Sequence, residues 1–177
     1  DCVFTDNIGA GRGGGIVTYR AEAIAITRCS FVGNEAPNGW GGGVLIYRSG
    51  GATITESMFV DNLGSAGGGA FFFAQTTPCD VMVTGSTFAG NNGTDDGGAV
   101  DCTGGSVIAH FDGCTMYGNS SPLGSGMVFD MDAVGVLDNT IIAFGTGSPA
   151  VVGTSSPPTL TCCDVYGNDG GAGIIAS

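Results

Sequence analysis

The sequence predicts an all-β chain, a parallel β-helix solenoid of about six to seven coils with three strands in each. Three observations carry that prediction. A short phrase recurs along the 177 residues: a small residue or Cys, a spacer, a large apolar residue, two spacers, then Asn. It reads Cys2-Val-Phe4-Thr-Asp-Asn7, Cys29-Ser-Phe31-Val-Gly-Asn34, Ser57-Met-Phe59-Val-Asp-Asn62 and Ser86-Thr-Phe88-Ala-Gly-Asn91. It continues as Cys114-Thr-Met116-Tyr-Gly-Asn119, a degenerate Asn139-Thr-Ile141-Ile-Ala-Phe144, and Cys163-Asp-Val165-Tyr-Gly-Asn168. The anchors step by 27, 28, 29, 28, 25 and 24 residues, a period that marks stacked repeats. Alternating apolar pairs surround each copy, and glycine clusters follow most of them.

Within one repeat, the first strand is the apolar pair before the phrase: Ile24/Ile26, Ala52/Ile54, Val81/Val83, Ala109/Phe111, Val134/Val136 and Pro158/Leu160. Period-2 alternation bounded by Gly, Asn and Ser is the strand signal. The phrase is the second strand, with Phe4, Phe31, Phe59 and Phe88 expected as an interior stack continued by Met116, Ile141 and Val165. Asn7, Asn34, Asn62, Asn91, Asn119 and Asn168 are expected at a bend, each amide pairing with backbone and with the Asn above and below. Asn also tolerates the left-handed backbone such a corner asks for. The missing Asn at Phe144 coincides with the shortest steps and predicts a tighter coil with an apolar corner.

A polar loop is expected next, then glycines at 13–15, 41–43, 67–69 and 97–98, then the third strand. Third strands are Ile16–Tyr19, Val44–Tyr47, Ala70–Phe73, Ala99–Cys102, Met127–Asp130 and Ala150–Gly153, apolar on both faces. With Val17, Leu45, Phe71, Val100, Val128 and Val151 inward, Ile46, Phe72, Phe129 and Val152 form an outward stripe that needs a partner or a stacking ligand. No stretch sustains a 3.6-residue period, so helix is not expected. Leu is too sparse for a leucine-rich repeat, and propeller blades need about 40 residues.

Composition narrows the class. Gly is 35 of 177 residues, yet 42% hydrophobic and only 11% charged residues exclude disorder. Sixteen acidic residues against four Arg and no Lys give a net charge of −12, which excludes nucleic acid and anionic lipid as partners. No apolar run is long enough for a spanning helix. Opening inside a repeat without Met, residues 1–177 are read as a single domain, a mature segment or fragment of a longer secreted protein. Cys2, Cys29, Cys114 and Cys163 share the first slot of the phrase with Ser57, Ser86 and Asn139, so small size is selected there. Compact buried thiols are expected; in an oxidising compartment, stacked Cys2 and Cys29 can bridge, and Cys79 with Cys102 is a weaker pairing. A Cys/His metal site is not indicated, with no CxxC and His110 the sole His.

Repeats of Cys-x-Phe-x-x-Asn followed by Gly-Gly-Gly-apolar resemble right-handed parallel β-helix proteins of the pectate-lyase-like superfamily. More narrowly, they resemble polymorphic-outer-membrane-protein-type repeats. Asn139–Phe144 and Thr161–Asn168 look like the ends of such domains in large secreted bacterial proteins. The resemblance implies an extracellular or cell-surface setting and raises carbohydrate chemistry. Gly93-Thr-Asp95-Asp96-Gly97 resembles the double-Asp motif of polygalacturonase-like glycosidases, although the other motifs of that family are missing and a turn explains the same letters. Catalytic candidates are therefore confined to Asp95, Asp96 and Asp101.

Arg20 and Arg48 share a column directly after Tyr19 and Tyr47 and are read either as solvated side chains or as a clamp on an acidic sugar. Asp101, Asp130 and Asp132 fall on successive third strands and could offer oxygens to Ca²⁺, with simple solubility as the plainer reading. The favoured function is a non-enzymatic structural or adhesive module, bound to the rest of its parent protein or stacked end to end into a filament. The alternative is a carbohydrate-active or polysaccharide-binding domain using Tyr19, Tyr47, Phe72 and Phe129 with the acids and Arg48.

Overall fold

The computed structural model describes residues 1–171 and the backbone of the strand Ile174–Ala176. The run 171–177 that closes the sequence, apolar in its letters, lies partly outside the described residues. Every strand pairs in parallel with its counterpart one coil away. The second strands, from Val3–Thr5 to Asp164–Tyr166, form one seven-stranded sheet. Third strands, from Ile16–Tyr19 to Ile174–Ala176, form another of seven, and first strands, from Ile24–Thr27 to Thr159–Thr161, form one of six. Among the described residues there is no helix, hence none long and apolar enough to cross a membrane. The fold is a parallel β-helix.

Two ladders hold the coils in register. Phe4, Phe31, Phe59 and Phe88 stack with centroids 4.5–4.8 Å apart and planes within 6°, matching the spacing of paired strands. Beside them each Asn Nδ2 donates to the next Asn Oδ1: Asn7 to Asn34 at 2.8 Å, Asn34 to Asn62 at 3.0 Å, Asn62 to Asn91 at 2.9 Å, Asn91 to Asn119 at 3.0 Å. The same Nδ2 also reaches back to a core carbonyl, as Asn62 does to Phe31 O at 3.0 Å. The left-handed corner residue is the one before the Asn: Asp6, Gly33, Asp61, Gly90, Gly118 and Gly167 all have positive φ. The amide can then stay in a buried, extended setting and make its bonds inward.

The first slot of the phrase selects more than size. Ser57 Oγ donates to Thr55 O at 2.9 Å, Ser86 Oγ to Thr84 O at 3.1 Å, and the Cys29 thiol to Thr27 O at 3.3 Å. Each is a short side chain whose O–H or S–H satisfies the carbonyl two residues back. All seven cysteines are free, so the expected Cys2–Cys29 bridge is not formed, nor is Cys79–Cys102. In the column that holds Cys2 and Cys29, the Cys29 thiol is engaged with backbone instead.

The degenerate sixth copy is shifted by one residue. Met116 pairs with Ile142, so Ile142 is inside and Ile141 is 41% exposed. Thr140 fills the first slot, donating to Asp138 O at 2.9 Å, and Gly145 fills the Asn slot, its N–H donating to Asn168 Oδ1 at 2.7 Å. Phe144 is on the surface, edge to face with Tyr117 and Tyr166. The preceding first strand carries the same slip, with Gly135 and Leu137 inward in place of Val134 and Val136. A side-chain period of two turns a one-residue slip into a change of face. Gly135 is required there because a Cβ would enter the Phe129 ring.

The third strands correct a second expectation. Ile46, Phe72, Cys102 and Phe129 point into the main core, Phe72 at 0% and Phe129 at 1% exposure, so neither can be a binding residue. Leu45, Phe71, Asp101 and Val128 form the outward column, and Phe71 and Asp101 are aligned by direct strand pairing. This column is nevertheless buried, because the segment expected as a polar loop is itself a small parallel sheet. It comprises Glu35–Trp40, Leu63–Ala66 and Asn92–Asp96. The turn from that sheet into the third strand uses Gly41, Gly67 and Gly97 at positive φ. At Gly67 a Cβ would collide with the Ala70 carbonyl.

Burial sets thiol reactivity. Desolvation pushes the Cys79 and Cys114 thiols up to about 11, and Cys102 well above its ordinary value. Titration of the native chain with a thiol-specific disulfide reagent should therefore modify Cys2, Cys29, Cys162 and Cys163 and leave these three for the unfolded state. Rapid modification of all seven would contradict this burial.

Candidate functional site

Outside the coil a second apolar cluster has formed from Leu45, Ala66 and Phe71, with Trp40, Tyr47 and Phe73 packed against it and partly open to solvent. Three aligned columns build it. The small sheet shifts register after Ala36 and after Gly93, which puts Trp40, Ala66 and Asp96 in one row. Across the glycine turn, Leu45, Phe71 and Asp101 form the second row, and Tyr19, Tyr47, Phe73, Thr103 and Asp130 the third. Each row passes from aromatic or apolar residues to an acidic one, Asp96, Asp101 and Asp130 in turn.

The aromatic half is a platform. Trp40 lies 5.4 Å from Phe71, 6.0 Å from Tyr47 and 6.3 Å from Phe73, with planes within 20°. Tyr47 and Phe73 stack at 5.0 Å. Arg12 lies over the Trp40 and Tyr47 rings, at 5.6 and 4.9 Å. A groove of about 190 Å³ then runs from Trp40, Phe71 and Phe73 to Asp96, Asp101, Thr103 and Asp130.

The acidic half is tuned by burial. Asp101 is 2% exposed, and its carboxyl is raised to about 7, first by desolvation and then by the Asp96 and Asp130 charges. A 2.6 Å hydrogen bond from Thr103 Oγ1 works in the opposite sense without cancelling that rise. Asp96 is raised by partial burial, then by Asp130 and Asp95. Asp130 accepts a hydrogen bond from Thr154 Oγ1. Burial therefore holds a proton on the Asp101 carboxyl to far higher pH than on an ordinary carboxylate, and that carboxyl faces Asp96 and Asp130.

Of the residues singled out from sequence, Asp96, Asp101 and Asp130 converge here, and Tyr47 joins the platform edge. Asp95 is exposed beside Asp96. Asp132 does not join them: it lies in the following turn against Gly105, so the expected Ca²⁺ trio is not assembled. Among the described residues no three acidic, His or Cys side chains are arranged to hold a metal ion. Arg20 and Arg48 line a separate cavity with Glu22. Trp40 was not singled out, although a signal existed: it immediately precedes a glycine cluster, as Ala66 and Asp96 do.

A family model described as right handed beta helix region matches residues 14–177. No curated protein and no solved structure matches the chain. Nearly the whole solenoid falls within that match, every strand but Val3–Thr5 and the groove included, and the chain belongs to the right-handed β-helix family.

Proposed function

We propose that this β-helix is a polysaccharide-binding module that holds a linear glycan along the outer face of its third sheet. The platform of Trp40, Tyr47 and Phe73, packed on buried Phe71, carries the reading. Sugar rings offer C–H faces that pack on aromatic rings and hydroxyls that donate to carboxylates, and the groove supplies both in sequence along the coil axis. The stacked ladders make the scaffold stiff beneath it, which limits the ordering cost of binding. In this reading the module works in an extracellular or cell-surface setting, where linear glycans are presented. Calorimetric titration with linear gluco-, xylo-, manno- and galacto-oligosaccharides tests it. At least one series should bind, and Trp40→Ala should weaken it roughly tenfold or more. Absence of heat across all four series would reject the module reading.

A second reading is favoured by one observation, the meeting of Asp96, Asp101 and Asp130 in the groove lining, where burial raises the Asp101 carboxyl to about 7. A protonated acid facing ionised carboxylates is the arrangement that donates a proton to a leaving glycosidic oxygen. Release of reducing ends from a bound oligosaccharide, abolished in Asp101→Asn, would establish it. Binding without release leaves the module non-catalytic.

A further inference from the structure

Arg20 and Arg48 occupy equivalent corners of successive coils. Tyr19 pairs with Tyr47, and Arg20 N–H donates to Tyr47 O at 3.2 Å. Coils stack about 4.8 Å apart, so the two cations share one side of the solenoid at a spacing where like charges repel. The corner does not demand them, since the corresponding positions in later coils are Ala74, Gly104 and Met131. Neither guanidinium makes an ion pair: among the described residues the one ion pair joins Arg28 to Asp1. In a chain of net charge −12 with four Arg and no Lys, two adjacent unneutralised cations stand out chemically.

Both line a cavity of about 520 Å³ together with Ala21, Glu22, Gly50, Thr76 and Thr77. Each guanidinium also lies over the tyrosine before it, Arg20 at 4.9 Å from Tyr19 and Arg48 at 5.3 Å from Tyr47, and those rings stack at 5.7 Å. Face stacking orients a guanidinium and leaves its in-plane N–H donors free. The cavity is thus furnished with two held donor edges and two hydroxyls, with no anion of the chain bound to them.

We propose that this cavity binds a tetrahedral oxyanion, the sulfate ester of a ligand. A planar carboxylate is matched by a single guanidinium edge, whereas an ester sulfate presents three terminal oxygens and can accept from two guanidiniums and a threonine hydroxyl together. Glu22 in the wall decides the charge. A carboxylate there repels a phosphate monoester, which carries nearly two negative charges at neutral pH, more than a singly charged sulfate. The site is independent of the aromatic groove and stands or falls separately from glycan binding there.

The test is retention on immobilised dextran sulfate, with dextran, polygalacturonate and phosphocellulose as comparison matrices. A net charge of −12 opposes capture by any polyanion, so retention reports a local site. The chain should elute from dextran sulfate at higher salt than from the other three. In solution, Arg20→Gln and Arg48→Gln should each weaken dextran sulfate binding roughly tenfold, with circular dichroism unchanged. Glu22→Gln should strengthen it. Passage through dextran sulfate without retention, or a double Arg variant that elutes with the wild type, would overturn the site. Equal or tighter retention on polygalacturonate or phosphocellulose would overturn its assignment to sulfate.

Discussion

Asn62→Ala is expected to lower the melting temperature by roughly 6–12 °C, corresponding to about 3 kcal/mol in a domain of this size. Asn62 is 1% exposed and makes four hydrogen bonds through its side chain. Nδ2 donates to Phe31 O at 3.0 Å and Asn91 Oδ1 at 2.9 Å, while Oδ1 accepts from Asn34 N and Asn34 Nδ2, both at 3.0 Å. Alanine leaves the Asn34 N–H without its acceptor inside the coil, and a stranded buried donor costs about 1–3 kcal/mol by itself. Thermal unfolding followed by circular dichroism reads the loss. A melting temperature within a degree of wild type would mean that the ladder adds nothing to stability. The effect should be smaller for Asn7, which is exposed at the first coil.

Asp101→Asn should do the opposite at alkaline pH and raise the melting temperature. The sign follows from linkage. The folded carboxyl is raised from 3.8 to about 7, so between those values the folded chain holds a proton that the unfolded chain has released. Stability contributed by this group is therefore full below about pH 4, falls as pH rises toward 7, and is lowest above that. The span is about 4 kcal/mol at most. Asparagine can still accept the Thr103 hydrogen bond and carries no charge toward Asp96 or Asp130. Melting curves of wild type and variant should coincide near pH 4 and separate by pH 8, with the variant higher. A variant that melts below wild type at pH 8 would show that the ionised carboxylate is stabilised there, contrary to its burial.

How much was legible in the sequence depended on which physical pattern was being read. The Phe and Asn columns were plain because burial and amide pairing force the same residue into each coil at a constant offset. Where the anchor failed, at Phe144, the adjacent apolar letters Ile141 and Ile142 allowed a one-residue shift, and only the pairing of Met116 with Ile142 resolves it. The third strands defeated alternation for a different reason. Both faces are apolar because both are buried, Phe72 in the coil and Phe71 beneath the small sheet, so hydrophobicity alone could not choose between them. That sheet, made of segments such as Asn92–Asp96, has the polar composition of a loop. Its pairing is dictated by the coils beneath rather than by its own propensity. The groove needed all of this at once. Asp96, Asp101 and Asp130 could be named singly, but their meeting with Trp40 depends on two register shifts that no local pattern announces.

Trp40 is the single tryptophan of the chain and lines the groove, so its fluorescence reports on the proposed site without any label. Titration of the wild-type chain with a linear oligosaccharide that gives a calorimetric signal should produce a saturable change in Trp40 emission, with a midpoint equal to the calorimetric one. Phe73→Ala, which removes a neighbouring ring of the platform, should shift that midpoint to higher concentration. If the oligosaccharide binds while Trp40 emission stays constant, the glycan sits elsewhere and the aromatic and carboxylate groove is not its site.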